Sequence, residues 1–256
     1  MNLISISIVL FNSPEKIYLP QIKKLINCNL DLKVIILDND GKPKKQLNSR
    51  KIYYQKNNKN FGFGKSHNLA LRKIAYKSKY HLFLNPDVKF KITDLKKMIK
   101  YMEENTKIDL LMPNIKNFSG HNLNYCKKLP NPLSLFLRRF IPFIKTDYEI
   151  KNPKNKIIKN IPNLSGCFLL TKTKSIKKIG GFDERFFLYM EDIDLVRRIR
   201  MNGNTVFYPI VDVFHQEQRD SYKNIKSLII HIISAIKYFN KWGWYFDDER
   251  NKLNNF

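Results

Sequence analysis

The sequence predicts one α/β domain built on a mixed, mainly parallel sheet with helices on both faces and a C-terminal helix. Two observations carry that reading. Short apolar runs alternate with stretches of helical spacing through the first part of the chain, and carboxylates or asparagines stand directly after several of the runs. Alternating strands and helices need crossover connections, which lay successive strands parallel. Ligands on such sheets bind beyond the carboxyl ends of the strands, so the residues following each run are the candidate site. A chain of 256 residues is long enough to bury one sizeable core of this kind.

Residues 3–11 read as a buried strand, and Pro14 sits where a helix can begin, its apolar positions following at Ile17, Ile22, Leu25 and Ile26. A second strand over 32–37 ends in the turn signal Asp38-Asn39-Asp40-Gly41. A short strand near Ile52-Tyr53-Tyr54 leads to the glycine-bearing loop 60–64, with a helix from about Ser66. Strand 80–84 runs into Asn85-Pro86-Asp87; a helix from about Asp94 and a strand near 108–112 follow. Between 117 and 162 the rhythm is lost in a basic stretch rich in Pro, Asn and Lys, predicted as an irregular insertion. Order returns with a strand over 163–171, the Gly180-Gly181-Phe182-Asp183 turn, a helix over 191–201 and a strand over 205–214. Residues 222–241 form an amphipathic helix with Ile225, Leu228, Ile229, Ile232, Ile233, Ile236 and Phe239 on one stripe. The predicted division is a domain over 1–221 followed by the helix and tail over 222–256.

Lys+Arg of 47 against Asp+Glu of 22 gives a net charge of +25, a field that draws in anions. Nucleic acid, acidic phospholipid and phosphorylated substrates all fit, and composition does not rank them. Cys28, Cys126 and Cys167 stand far apart without Cys-x-x-Cys spacing, so neither a zinc site nor a disulfide framework is expected and a reducing cytoplasm is the simplest location. The first residues lack the basic flank and cleavage site of a signal peptide. The longest apolar run, 228–236, is far short of the roughly 20 residues of a membrane-spanning helix, so any membrane contact is expected to be peripheral.

Three features carry chemistry. Asp38 at a strand end suits either a turn cap or an acceptor for the imide N–H of a pyrimidine base. Asp87, after the buried strand 80–84, suits either a cap or a ligand for Mg²⁺ or Mn²⁺, hard ions commonly shared with a diphosphate. The third is the block from Gly180 to Arg198, Gly-Gly-Phe-Asp-Glu-Arg-Phe-Phe-Leu-Tyr-Met-Glu-Asp-Ile-Asp-Leu-Val-Arg-Arg. Glu191 and Asp192 open its helix, where the macrodipole favours ionised carboxylates by about 0.3–1 kcal/mol. Asp194 beside them reads as structural, capping or pairing with Arg197 or Arg198.

That block closely resembles the corresponding one of family 2 glycosyltransferases, in particular the rhamnosyltransferase-like branch that builds bacterial O-antigens and capsules. The resemblance runs from Ile4 to about Ser221 and includes the Asp38-Asn39 turn, the glycine loop from Asn60 to Asn68, the Asn85-Pro86-Asp87 turn, the Ser165-Gly166-Cys167-Phe168 strand and His215. It implies a GT-A-like (Rossmann-like) domain that transfers a sugar with inversion, with dTDP-L-rhamnose as the favoured nucleotide diphosphate donor and a lipid-linked oligosaccharide as acceptor. By the same resemblance Asp192 is the catalytic base, with Glu191 as the near alternative. Nucleotide-sugar binding falls to Asp38, Asn39, Gly62, Gly64, Lys65, Asn68, Asn85 and Arg219. Acceptor binding falls to Gly166, Phe187 and Tyr189, and a divalent metal to Asp87 and His215. Lys65 and Arg219 suit surface roles equally well. Asn85 stands where the family's first acidic residue would be, leaving one carboxylate in that turn.

The C-terminal helix, with Lys223, Lys226, Lys237 and Lys241 beside Trp242 and Trp244, suits an anionic membrane surface. It equally suits packing on its own domain or on a twin subunit, which would make a homo-oligomer. Two other function classes stay open. A basic nucleic-acid-binding protein fits the charge, but the chain lacks helix-turn-helix, zinc and aromatic RNA-binding signatures. A non-catalytic scaffold subunit on the same fold would not need the intact acidic block.

Overall fold

The computed structural model describes residues 3–40, 49–140, 148–150, 156–216 and 224–255. The first half alternates as expected: β1 (Ile4–Leu10), α1 (Glu15–Asn27), β2 (Leu32–Asp38), β3 (Ile52–Lys56), α2 (Phe63–Lys73), β4 (Tyr80–Leu84), α3 (Ile92–Glu104) and β5 (Ile108–Lys116). β1, β2 and β4 are almost wholly buried, which is why they read as unbroken apolar runs rather than alternating ones. The second half comprises β6 (Cys126–Lys127), α4 (Pro132–Phe140), β7 (Ile158–Lys159), β8 (Asn163–Leu164), β9 (Phe168–Lys172), α5 (Thr173–Ile179), α6 (Glu191–Asn202), β10 (Asn204–Phe214), α7 (Ile225–Trp242) and α8 (Asp248–Asn254).

Among the described residues the main sheet has eight strands in the order β3-β2-β1-β4-β9-β5-β10-β7. β1 lies parallel to β2 and β4, β2 to β3, and β5 to β10. β9 runs antiparallel between β4 and β5, with Phe168 opposite Leu84. That one reversal positions the site. The start of β9 lies beside the carboxyl end of β4, so residues 165–167 join the edge where the parallel strands end.

Four elements differ from the sequence expectation. α2 starts at Phe63 instead of near Ser66, because Gly62 at φ +79° breaks the chain three residues earlier. The single strand expected over 163–171 is two: β8 pairs with β6 in a small second sheet, and β9 enters the main one. α5, for which no expectation was formed, ends at Gly180 in the left-handed conformation. The described part of 117–162 contributes α4, β6 and β7, the last pairing with β10, so much of this insertion is built into the domain.

For α7, whose packing the sequence left open, the structure chooses a side. Its isoleucines do not face the domain: Ile225, Ile229, Ile232, Ile233 and Ile236 are all exposed. The opposite side docks, through Ser234 and Tyr238, with Phe239 and Trp242 at the end. Polar anchors fix that orientation. Lys241 Nζ donates to Asp183 (2.8 Å) and to the fully buried Asp194 (2.6 Å), and Trp242 Nε1 donates to Asp194 (2.8 Å). Asp194 also accepts from Arg198 Nε at 2.8 Å, while Arg197 pairs with Asp247 ahead of α8 at 2.5 and 2.8 Å. Lys241, counted among the lysines for a membrane surface, is thus turned inward. Lys223 lies outside the described residues.

Candidate active site

Three chain segments meet at the carboxyl edge of the sheet. The backbone N–H of Asn85, after β4, donates to the Cys167 carbonyl at 2.9 Å, and the N–H of Gly166 donates to Asp192 Oδ2 at 2.9 Å. The Cys167 thiol lies close to two carboxylates: burial above all, with the charges of Asp87 and Asp192 adding to it, pushes it up to about 12. Gly166 is required here, because a Cβ on it would lie 2.9 Å from that of Asp192.

Asp192 is half-buried, and its Oδ1 accepts from the N–H of Ile193 at 2.9 Å. Burial raises its pKa above the ordinary aspartate value, opposed by those two N–H donors and by Lys127. Glu191 is buried, its Oε2 has no hydrogen-bond partner among the described residues, and burial together with the Asp192 charge pushes its pKa far up. Tyr189 and Met190 precede the pair at φ +68° and +65°. A left-handed L-residue costs roughly 1–2 kcal/mol, so the chain is held under strain as it enters the acidic helix.

Asp87 and His215 come from turns 128 residues apart in the sequence and meet with Oδ1 and Nε2 at 3.3 Å. Tyr125, in the insertion, places its hydroxyl 3.2 Å from Nδ1 of His215. The donor pair fits a divalent ion. Two ligands each about 2.1 Å from an octahedral ion, at a right angle, lie about 3 Å apart. Among the described residues no group of three or more His, Cys, Asp or Glu side chains converges, so remaining ligands would come from substrate oxygens and water.

Several residues expected at the nucleotide also have structural duties. Asp38 is fully buried; Oδ2 accepts from the Tyr54 hydroxyl and Oδ1 from the Asp40 N–H at 3.2 Å. Its carboxylate holds the turn, and the other carboxylate of this turn, Asp40, is half-buried. Asn39 sits in a buried amide network, donating to Asn60 Oδ1 (3.1 Å) and Ser66 Oγ (2.8 Å) and accepting from Asn57 (2.7 Å).

The glycine loop is likewise a docking device. A Cβ on Gly62 would fall 2.1 Å from the Phe187 carbonyl oxygen, and one on Gly64 2.9 Å from Phe182 Cβ. Phe63 N–H donates to that Phe187 carbonyl at 3.0 Å, and Asn68 clamps both backbone groups of Phe182 at 2.8 and 2.9 Å. Lys65 pairs with Glu184 at 3.4 Å. The loop therefore brings the 181–187 turn against α2, a contact that small residues permit and side chains would block.

Of the acceptor candidates, Gly166 holds Asp192, Phe187 is exposed, and the Tyr189 ring lies 4.9 Å from that of His231. Arg219 lies outside the described residues. Sequence reading did not single out Tyr125, Lys127, Tyr54 or Asp40. Asp40 was visible in its turn, but nothing local marked the other three.

The model of the family described as Glycosyl transferase family 2 matches residues 5–180. Rhamnosyltransferase WbbL of Escherichia coli (strain K12) is 30% identical over 191 residues, 70% of this chain and 70% of that protein. The N-acetylglucosaminyl-diphospho-decaprenol L-rhamnosyltransferase of Mycobacterium tuberculosis (strain ATCC 25618 / H37Rv) is 44% identical over 55 residues, 21% of this chain and 18% of that one. Among solved structures, GalNAc-T7 with UDP, GalNAc and Mn²⁺ aligns with a TM-score of 0.62 at 12% identity, covering 84% of this chain and 43% of that one, a likeness of fold. With the family model spanning most of the chain, and a mainly parallel sheet of the GT-A kind beneath the site, this protein belongs to glycosyl transferase family 2 and is a glycosyltransferase.

Proposed function

We propose that the protein transfers L-rhamnose from dTDP-L-rhamnose, with inversion, to a lipid-diphosphate-linked saccharide in surface-polysaccharide synthesis (O-antigen or capsule) at the inner face of the cytoplasmic membrane. The observation that carries the chemistry is the juxtaposition of Asp192, anchored on Gly166, with the Asp87–His215 pair across Cys167. Rhamnose and a lipid carrier are named for this chain on the strength of the relatives, one of which is a decaprenol-linked rhamnosyltransferase by name.

Asp192 takes the proton of the acceptor hydroxyl as that oxygen attacks the anomeric carbon. The bond from the sugar to the diphosphate breaks on the opposite face, and its electron pair leaves with the nucleoside diphosphate. A base so placed contributes about 10²–10⁴ in rate. The burial that raises the Asp192 pKa makes it a stronger base than a solvated aspartate, and its two N–H contacts fix its direction. Asp87 and His215 would hold a Mg²⁺ or Mn²⁺ ion, which when bound neutralises charge developing on the leaving diphosphate. Gly166, Phe187 and Tyr189 border the acceptor side.

The deciding experiment screens purified protein against nucleotide sugars by thermal shift, with and without Mn²⁺, then assays transfer to a short-chain polyprenyl-diphospho-N-acetylglucosamine. A selective shift with dTDP-rhamnose and a rhamnosylated product support the reading. Preference for a UDP- or GDP-sugar would replace the donor and leave the site chemistry standing.

A further inference from the structure

We propose that the outward face of α7, together with the Trp244-Tyr245-Phe246 segment that follows it, docks on an anionic lipid bilayer. The acceptor loop, braced on the other side of the same helix, is thereby held one helix width from the lipid. The purpose of this surface rests on the lipid-linked acceptor reading above, but the surface itself is a separate physical claim.

The face is apolar where packing on the domain does not require it to be. Ile225, Ile229, Ile232, Ile233 and Ile236 are 43% to 75% exposed, although Ser234 and Tyr238 on the reverse side are buried. At 100° per residue the isoleucines fall on one side, opposite the docked one. Gly243, at φ +101°, turns the chain, and three consecutive aromatics follow with Phe246 95% exposed. Trp and Tyr favour the headgroup layer, where an apolar ring and a polar edge are both accommodated. No helix of the described residues is long and apolar enough to cross a membrane, so the contact would lie on the surface.

Charge selects the occupant. From Ser221 to Phe246 the sequence contains no Asp or Glu, Lys226 stands exposed on the helix, and Lys237 is exposed at its flank with Nζ on the Arg185 carbonyl. A twofold contact with a second copy would bring these lysines toward one another with no acid on the helix to pair them. An anionic bilayer instead supplies the counter-charge, in keeping with the net charge of +25.

The inner side of α7 explains why such a surface would matter. Ser234 Oγ donates to the Leu188 carbonyl at 2.8 Å, Lys237 Nζ to that of Arg185 at 2.8 Å, and Lys241 Nζ to Asp183 at 2.8 Å. The loop bearing exposed Phe187 therefore sits on the far side of a helix about 10 Å across, close to where a membrane-borne diphosphate would present its sugar.

Co-sedimentation with vesicles of phosphatidylglycerol and phosphatidylethanolamine, against neutral phosphatidylcholine, tests this at low and physiological salt. Wild-type protein should pellet with the anionic vesicles, and less so as salt rises. The triple variant Ile229→Ser, Ile232→Ser, Ile236→Ser should lose at least about tenfold in partitioning, and Lys226→Glu should lose the preference for anionic lipid. Both should keep the wild-type melting temperature, and the triple variant should keep turnover on a water-soluble acceptor. A wild-type protein that stays in the supernatant, or a triple variant that pellets like wild type, overturns the proposal. So does a dimer in ultracentrifugation that the triple variant splits while no vesicle binding is seen, since the face then belongs to a second copy. Vesicle binding by a protein that transfers no rhamnose would overturn the proposed donor and leave the docking surface intact.

Discussion

Asp192 keeps both carboxylate oxygens on backbone N–H groups, whereas Glu191 buries one oxygen with no partner. The first arrangement suits a group that must exchange a proton in a fixed direction, and the second a group that merely tolerates its place. Asp192→Asn is expected to cut turnover by about 10²–10⁴ while nucleotide binding, read by calorimetry, persists. Because burial raises its pKa, the acid limb of kcat/KM should lie above the ordinary aspartate range and vanish in that variant. Glu191→Gln should retain substantial turnover and stabilise the fold. The sign follows from linkage: a carboxyl with a raised folded pKa is neutral at no cost below its unfolded value and becomes a liability as pH rises. The gain in unfolding free energy should therefore grow from pH 4 toward neutrality, and a gain that grows toward acid would contradict the burial argument. The acidic pair was legible in the sequence from its place at a helix start. Which member is tethered was not, because Gly166 lies 26 residues away.

α7 shows how the sequence can give an element's extent and leave its orientation open. The expected helix over 222–241 is observed as Ile225–Trp242, yet the isoleucine stripe turns outward. Docking is decided at its end, where Asp194 collects Arg198, Lys241 and Trp242 in a buried cluster. Removing one partner from such a cluster leaves a charge uncompensated, which costs about 3–5 kcal/mol. Lys241→Glu should therefore lower stability on that scale in chemical denaturation. Lys226→Glu, on the exposed side, should stay within about 0.5 kcal/mol of wild type. Equal losses in the two would mean that α7 is not docked through Lys241. The insertion over 117–162 gives the converse case. Its composition suggested irregularity, yet it delivers Tyr125 to His215 and Lys127 to the field around Asp192.

Across the whole molecule, buried polar groups tie the layers together. Ser78, Ser5, His81, Ser7 and His67 form a hydrogen-bonded chain through the core, with successive contacts of 2.6, 2.7, 2.8 and 2.6 Å. Burial lowers His81 to about 3 and His67 well below its ordinary value. Both are neutral when folded, while the unfolded chain takes up protons below about pH 6.5. Their contribution to stability should be level above that pH and fall below it, by up to about 1.4 kcal/mol per pH unit for each histidine, against the opposite and smaller slope from the single Glu191. Urea denaturation between pH 7 and 5 checks this, and His67→Leu should flatten the slope. At the site, EDTA should weaken nucleotide-diphosphate binding and Asp87→Ala should mimic it. Tyr125→Phe, which frees Nδ1 of His215, should weaken Mn²⁺ binding measured directly by about 10–100-fold. Equal nucleotide affinity with and without metal would remove the ion from the mechanism.

What the sequence alone determined was local. Apolar runs marked β1, β2 and β4, turn residues marked the strand ends at Asp38 and Asp87, and the acidic block marked α6. These follow from periodicity and capping, which act over a few residues. Tertiary structure alone decided what those residues face. The reversal of β9 carries Gly166 to the edge where Asp87 stands, and Asn68 reaches Phe182 across 114 residues to bind the glycine loop to the 181–187 turn. The glycines at 62 and 64 signal a close approach without naming the partner. Here the partner is the protein's own backbone at Phe187 and the side chain of Phe182. Likewise, a stripe of isoleucines signals a buried face, but ion pairs at one end of α7 determined which side the domain would cover.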